Sequence, residues 1–521
     1  MSDPTSCKPR FYVTTAIAYP NGRPHMGHAY EAIATDVIAR FKRLDGYDVR
    51  FLTGTDEHGL KIDQAARAAG KSPQAYVDEM VEPFQSLDGS LGISFDRFIR
   101  TTDANHKALV QALWQRMAAN GDMYLGRYEG WYSVRDEAYY DEAELVTGEE
   151  GGKLSPNGAP VEWTVEESWF FKLSAYQDRL LALFDSQPSF IQPISRFNEM
   201  RAFVAGGLSD LSVSRTSFTW GIPVPGDASP DGKIHVMYVW LDALANYLTG
   251  ADSKGLGGLD GEWWPADLHV VGKDVVRFHT VYWLAFLMSA GLALPKTVFG
   301  HGFLLNRGEK MSKSLGNVVD PAAMVERFGV DRLRWFLCRE VAFGEDGSYS
   351  DEAIVERTNA DLANGIGNLA QRSLSMVAKN LDGVMPTRGE AGETELRLKD
   401  AFMTGSLAYF AAMNALALHK ALDALMGMVA AANGYFAENA PWSLAKTDVG
   451  RMAEVLAATL DATRRIVILA QPFMPGSTAQ LLDQLGVAAD ARNFNGFNTP
   501  VEAGVQLPAP AGVFPRITLE G

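Results

Sequence analysis

Tyr19-Pro-Asn-Gly-Arg-Pro-His-Met-Gly-His28 lies between a strand-like run, residues 11–17, and a helical run, residues 29–44. Pro20, Asn21, Gly22 and Pro24 are turn formers, so the chain reverses here. His25 and His28 flank Gly27 where the helix should begin. A helix start offers unpaired N–H groups and a partial positive charge, and glycine leaves that backbone open to a ligand. A phosphate site fits this turn; so does a polar turn with incidental histidines.

Outward from the turn, residues 49–52 read as a second strand, followed by Thr53-Gly-Thr-Asp-Glu-His-Gly59. Ile33, Val37, Ile38, Phe41 and Leu44 share one helical face between the two strands. Strand–helix–strand units pair parallel and right-handed, so the His25 turn and the Asp56 loop should face one crevice. Ser72-Pro73 reads as the cap and first residue of another helix, and residues 103–120 as a further one. From about residue 122 to 222 aromatics and acids cluster without the α/β rhythm, which suggests an insertion. Strand-like runs resume at residues 234–241, 268–271 and 297–303, with a helix expected over 275–290. From about residue 351 helical periodicity is nearly unbroken. The expected fold class is α/β: a Rossmann-like parallel sheet split by an inserted connective domain, then an α-helical bundle. The expected domains are 1–121 and 226–300 for the two halves of the sheet, 122–225 for the insertion, 301–355 for a linking domain and 356–521 for the bundle.

The chain has 521 residues, too many for one core. Its 47% hydrophobic and 21% charged residues are those of a soluble globular protein. Residues 1–10 lack an apolar signal region, and the longest apolar run, residues 281–294, is too short to span a bilayer. Cys7 and Cys338 are the only cysteines, which excludes a disulfide framework and a Cys-rich zinc site and fits a reducing cytoplasm. With a net charge of -16, a nucleic-acid partner has to be held by a local face.

The loop Asn306-Arg-Gly-Glu-Lys-Met-Ser-Lys-Ser-Leu-Gly-Asn317 places two lysines and two hydroxyls between glycines, a composition suited to a clamp on phosphates. Such a loop alone is most often solvated surface. Here it follows an α/β unit that opens with the His25 turn, and the pair resembles the His-x-Gly-His and Lys-Met-Ser-Lys-Ser motifs of class I aminoacyl-tRNA synthetases. The resemblance narrows to the methionyl-tRNA synthetases, in a short form without zinc-knuckle cysteines. It rests on Ala16-Ile-Ala-Tyr-Pro-Asn-Gly22, on residues 53–59, on Tyr238-Val-Trp-Leu-Asp-Ala-Leu-Ala-Asn-Tyr247, on Gly272-Lys-Asp-Val-Val-Arg-Phe-His279 and on Pro441-Trp442, and covers nearly the whole chain.

That resemblance implies a ligase that activates methionine with ATP and Mg²⁺ and transfers it to methionine tRNA, initiator and elongator. It implies that Asp56 binds the substrate ammonium, with Ile17, Tyr19, Trp240, Leu244, Tyr247, Val275 and His279 around the thioether. Trp240, Leu244 and Tyr247 stand at i, i+4 and i+7, and Val275 and His279 at i and i+4, so each set shares a helical face. Aromatic walls suit a polarizable sulfur, although any one of these rings is equally at home in a core. For ATP the resemblance implies Gly27, Gly272, Asp274, Ser312 and Ser314, with His25, His28, Lys310 and Lys313 on the phosphates as the catalytic charges. Asn368, Arg372 and Trp442 match the anticodon-reading positions.

Many members carry a zinc knuckle in the insertion, but here Ser133 and Asp136 stand where a cysteine pair would fall. No structural zinc is therefore expected, with Tyr/Trp packing in its place. The expected protein is a cytoplasmic monomer without a membrane partner. Two other readings fit part of the chain: a class I synthetase for another apolar amino acid, for which the insertion looks short, and a non-catalytic tRNA- or nucleotide-binding paralogue, against which both intact motifs argue.

Overall fold

The computed structural model describes residues 8–136, 138–148, 151–226, 234–251, 261–310 and 319–519. Six strands form one parallel sheet: β1 (Arg10–Thr15), β2 (Asp48–Thr55), β3 (Arg97–Arg100), β4 (Ile191–Gln192), β5 (Leu268–Gly272) and β6 (Val298–His301), in the order β3-β2-β1-β5-β6-β4. From β1 the chain moves outward through β2 to β3, then returns after a long excursion to place β5 on the other side of β1. Connections diverge between β1 and β5, and the gap at their carboxyl ends is where an open α/β sheet binds ligands.

Alternation along each strand sends neighbouring residues to opposite faces. Val13, Phe51, Val270 and Phe299 join one core, while Tyr12, Leu52, Val271 and Val298 join the other. The first core is covered by the helix Met26–Leu44, whose Tyr30, Ile33, Val37, Ile38 and Phe41 are buried, each contributing about 1.5–3 kcal/mol of apolar burial. The same core continues into the helical bundle. Arg334, on the helix Val330–Glu340, is fully buried. It donates to Asp36 (2.6 Å) on the first helix and to the Phe473 (3.0 Å) and Pro472 (2.9 Å) carbonyls of the bundle.

Ser72 caps the helix Pro73–Leu91 by accepting from the Ala75 N–H, as its sequence anticipates. The strand expected over 234–241 is reduced to Val236–Met237, and the helix Val239–Leu244 follows at once. Ile234 is exposed, but residues 235–239 are buried without alternation, so the hydropathy of the run carries neither period.

Within 122–225, Met123–Ser133 and Glu162–Phe171 form a long antiparallel ribbon. The same segment also supplies β4 to the edge of the main sheet. No helix among the described residues is long and apolar enough to cross a membrane. The bundle comprises Asn368–Asn380, Glu393–Asn414, Leu418–Asn439, Val449–Ala470 and Pro475–Gln484, with the short helix Pro441–Thr447 between the third and fourth.

Candidate active site

A cavity of about 490 Å³ opens at the carboxyl ends of β1, β2, β5 and β6. Ile17 and Tyr19 line it from the segment after β1, Asp56 from the loop after β2, and Gly272, Asp274, Val275 and His279 from the end of β5 onward. His25, Gly27 and His28 enter from the turn, and Trp240, Leu244 and Tyr247 from the two short helices Val239–Leu244 and Asn246–Gly250. Residues spread over more than 260 positions of sequence thus share one space.

The turn builds its own cap. His25 precedes the helix Met26–Leu44, and its Nδ1 accepts from the Gly27 N–H (3.1 Å). His28 reaches back so that its Nδ1 accepts from the His25 N–H (3.2 Å). This is a capping box made of imidazoles. A Cβ at Gly27 would stand 2.9 Å from His25 Cε1, so only glycine lets that ring fold over the helix start. With each Nδ1 accepting, each neutral ring carries its proton on Nε2. Burial and the neighbouring His25 lower the His28 pKa to about 3. His28 is thus a neutral ring, with Nε2–H as its remaining donor.

At the other end of the cavity the tautomers are equally determined. His279 Nδ1 donates to the Val275 carbonyl (2.8 Å), so Nε2 accepts from the Tyr247 hydroxyl (2.6 Å). Burial pushes the His279 pKa down to about 4, and the ring is neutral at physiological pH. Trp240 stacks on Phe278 with ring centroids 3.8 Å apart and planes 5° from parallel. These rings form an aromatic, uncharged pocket beside the carboxylate of Asp56.

The Asp56 loop is held from several sides. The Asp56 N–H donates to the Ala18 carbonyl (2.8 Å), joining the segments after β1 and β2. Glu57 receives Arg100 through two bonds (2.7 and 2.9 Å). His58 Nδ1 meets Asp242 Oδ2 (2.6 Å), whose other oxygen meets His106 Nε2 (2.8 Å). The Asp242 carboxylate thereby ties the loop of Asp56 to the helix of Trp240.

Several lining residues were not expected from the sequence: Asn246, Glu31 and His301; Phe278, which backs Trp240, was not expected either. His301 ends a parallel strand at the ligand edge, a position that could have marked it. Phe278 carries no signal of its own, because its stack on Trp240 joins helices 38 positions apart in sequence. The Lys310 backbone pairs with Leu305; Ser312, Lys313 and Ser314 lie outside the described residues.

The knuckle position departs in part from the expectation. Ser133 Oγ accepts from the Asp136 N–H (3.2 Å), and the Asp136 carboxylate accepts from the Tyr140 (3.1 Å) and Ser155 hydroxyls. Ser155 Oγ in turn accepts from the Ala159 N–H (3.2 Å). Trp131 and Trp163 do pack edge to face there, 5.3 Å apart, but polar bonds converging on one carboxylate join the two loops. Among the described residues no group of three or more His, Cys, Asp or Glu side chains is arranged to hold a metal.

In the bundle, Arg372 lies over the rings of Trp442 (5.1 Å) and Phe436 (4.9 Å), and Trp442 is 43% exposed. Asn368 is exposed one helical turn before Arg372, so these three residues share one surface.

The comparisons with known proteins agree with this geometry. Residues 11–150 and 152–374 match the family model described as tRNA synthetases class I (M), and residues 385–521 match the anticodon binding domain of methionyl tRNA ligase. A methionine–tRNA ligase from Mesorhizobium japonicum is 57% identical, covering 97% of this chain and 98% of the relative. One from Brucella suis is 56% identical over the same shares. The solved structure of Mycobacterium tuberculosis methionyl-tRNA synthetase in complex with methionyl-adenylate superposes with a TM-score of 0.93 at 55% identity, covering 98% of this chain and all of that one. The chain belongs to the methionine-type class I tRNA synthetases.

Proposed function

We infer that the cavity performs the two steps of methionyl-tRNA synthesis with the residues assigned below. One observation carries the reading: a single space is lined by the aromatic pocket of Trp240, Tyr247 and His279, by the His25–His28 helix start and by Asp56. In the first step the methionine carboxylate attacks the α-phosphorus of ATP and pyrophosphate leaves. No nucleophile from the protein is needed. Asp56 holds the ammonium, and Ile17, Tyr19, Leu244 and Val275 complete the wall around the thioether. The Tyr247–His279 hydrogen bond fixes both rings without charge, which suits an uncharged sulfur.

Gly272 and Asp274 meet the ribose, and Gly27 lets the ATP chain approach the helix backbone. His25 and His28 offer Nε2–H donors to the phosphates. Lys310 and Lys313, with the hydroxyls of Ser312 and Ser314, neutralise charge on the departing pyrophosphate. Mg²⁺ enters with ATP on the phosphate oxygens. In the second step the 2′-hydroxyl of the terminal adenosine of tRNA attacks the adenylate carbonyl and AMP leaves. Asn368, Arg372 and Trp442 read the anticodon of initiator and elongator methionine tRNA, the ring stacking on a splayed base. The protein works as a cytoplasmic monomer. Its five segments divide the labour: 1–121 and 226–300 bind substrates, 122–225 covers them, 301–355 carries the lysine loop and 356–521 reads tRNA.

Pyrophosphate exchange across a panel of amino acids tests this reading. Exchange should depend on methionine. Exchange with valine but not methionine would overturn the pocket assignment, and no exchange with any amino acid would favour a binding protein without ligase activity.

A further inference from the structure

His301 closes β6 at the cavity wall, opposite the helix Met26–Leu44. Its Nδ1 lies 2.8 Å from the Gly302 carbonyl, which can only accept, so Nδ1 carries a proton. Its Nε2 lies 2.7 Å from Glu31 Oε2, with the two side chains 7% and 16% exposed. A neutral ring protonated at Nδ1 would aim a lone pair at a carboxylate. One further proton must therefore sit between Nε2 and Oε2.

The pair joins three parts of one end of the cavity. Glu31 is one helical turn past His28. The His301 carbonyl accepts from the Lys273 N–H (2.8 Å) and so holds the loop of Gly272 and Asp274. Gly302, Phe303 and Leu304 continue the wall. We propose that His301 and Glu31 are a positioning pair sharing one proton, and that this proton keeps the ATP wall of the cavity closed on the helix that starts at His25–His28. The proposal rests on the reading that this end of the cavity takes ATP.

The surroundings favour the protonated pair. Burial opposes charge on His301, but the hydrogen bond and charge of Glu31, the Gly302 carbonyl and Asp274 outweigh it and raise its pKa above the ordinary histidine value. Tyr30 packs perpendicular to the His301 ring, with centroids 5.5 Å apart, and Tyr247 feels the Glu31 charge. Lys273 is neutralised by Asp346 at 2.7 Å, and Arg196, beside Gly300, by Glu199. Loss of the proton as pH rises leaves a carboxylate facing a lone pair, and the wall loses its tie.

Glu31→Gln and His301→Ala separate the possibilities. A glutamine amide donates to the lone pair of neutral His301 Nε2, keeping the bond without a dissociable proton. In the wild type, KM for ATP should rise on the alkaline side. In Glu31→Gln it should stay near the wild-type neutral value and remain flat with pH. In His301→Ala it should rise about tenfold at every pH, as for loss of a hydrogen bond to a charged group, with KM for methionine changed far less. An alkaline limb unchanged in Glu31→Gln, or an unchanged KM for ATP in His301→Ala, overturns the proposal. Thermal melting identifies a misfolded His301→Ala, in which case Glu31→Gln decides alone. A wild type that binds no ATP would refute the reading of the cavity, whereas a wild type that binds ATP beside indifferent variants refutes only the pair.

Discussion

Replacing Asp242 tests whether the proposed methionine pocket is held together by one buried carboxylate. The side chain is 2% exposed and bonds His58 Nδ1 at 2.6 Å and His106 Nε2 at 2.8 Å. His106 Nδ1 lies 3.0 Å from Thr249 Oγ1, whose hydroxyl donates to the Ala245 carbonyl. Asp242→Ala strands two buried imidazoles without their acceptor. Breaking a buried ion pair from one side costs about 3–5 kcal/mol. Asp242→Asn keeps the shape. Its oxygen can accept from His58, its amide can donate to His106 Nε2, and His106 can donate from Nδ1 to Thr249. Every group is then satisfied with neutral rings, at a cost of about 1 kcal/mol.

The two variants should therefore separate by at least about 2 kcal/mol in denaturant unfolding. Asp242 lies two positions from Trp240 and two from Leu244, and its partner His58 two from Asp56. The alanine variant should therefore also raise KM for methionine by about tenfold in pyrophosphate exchange. The acid limb supplies a second check. Burial opposes ionisation of Asp242, but His58 and His106 outweigh it and hold its pKa at about 2, below the ordinary 3.8. A depressed carboxylate contributes its stability fully above the unfolded pKa and loses it as pH falls through the folded value. Wild-type stability should drop between about pH 4 and 2, and Asp242→Asn should lack that component. Equal damage from asparagine and alanine would show that charge, not hydrogen bonding, is what matters. A destabilised alanine variant with normal KM for methionine would refute the positioning role.

Trp442→Ala should spare methionine activation and weaken tRNA charging by about 1–3 kcal/mol, the value of one stacked base; equal loss in both assays would indicate a folding defect. Lys313→Ala should slow adenylate formation about 10²–10³-fold, and unchanged pyrophosphate exchange would remove the lysine from the mechanism. Gly302→Ala places a Cβ 2.2 Å from the Glu345 backbone, where no side chain can give way; it should cost about 1–3 kcal/mol in melting and weaken ATP binding. Arg334→Met removes the partner of buried Asp36, whose pKa Arg334, Arg40 and Ser94 lower against the opposing effect of burial. It should cost about 3–5 kcal/mol and move acid unfolding to higher pH.

The turn at Tyr19–His28 was legible because proline, glycine and histidine act locally: they dictate a reversal and a helix start whatever surrounds them. The spacing of Trp240, Leu244 and Tyr247 was legible only in part: all three line the cavity, but the single helix expected for them is two short ones, Val239–Leu244 and Asn246–Gly250. The strand expected at 234–241 failed because residues 235–239 are buried without alternation, which leaves no polar phase to reveal the period. The knuckle was read correctly as lacking cysteine pairs. That hydrogen bonds converge on Asp136 depends on Ser155, brought close only by the fold.

By itself the sequence determined the class of fold, the two motifs on which the family resemblance rests and the residue types available at each end of the cavity. These follow from local chemistry: turn formation, capping, periodicity and side-chain polarity. Only the tertiary structure decided the protonation and pairing of the site. Whether an imidazole is a donor, an acceptor or a cation depends on what stands within 3 Å of each ring nitrogen. For His279 that neighbour is Tyr247, for His58 it is Asp242, and for His301 it is Glu31, 270 positions away in the chain.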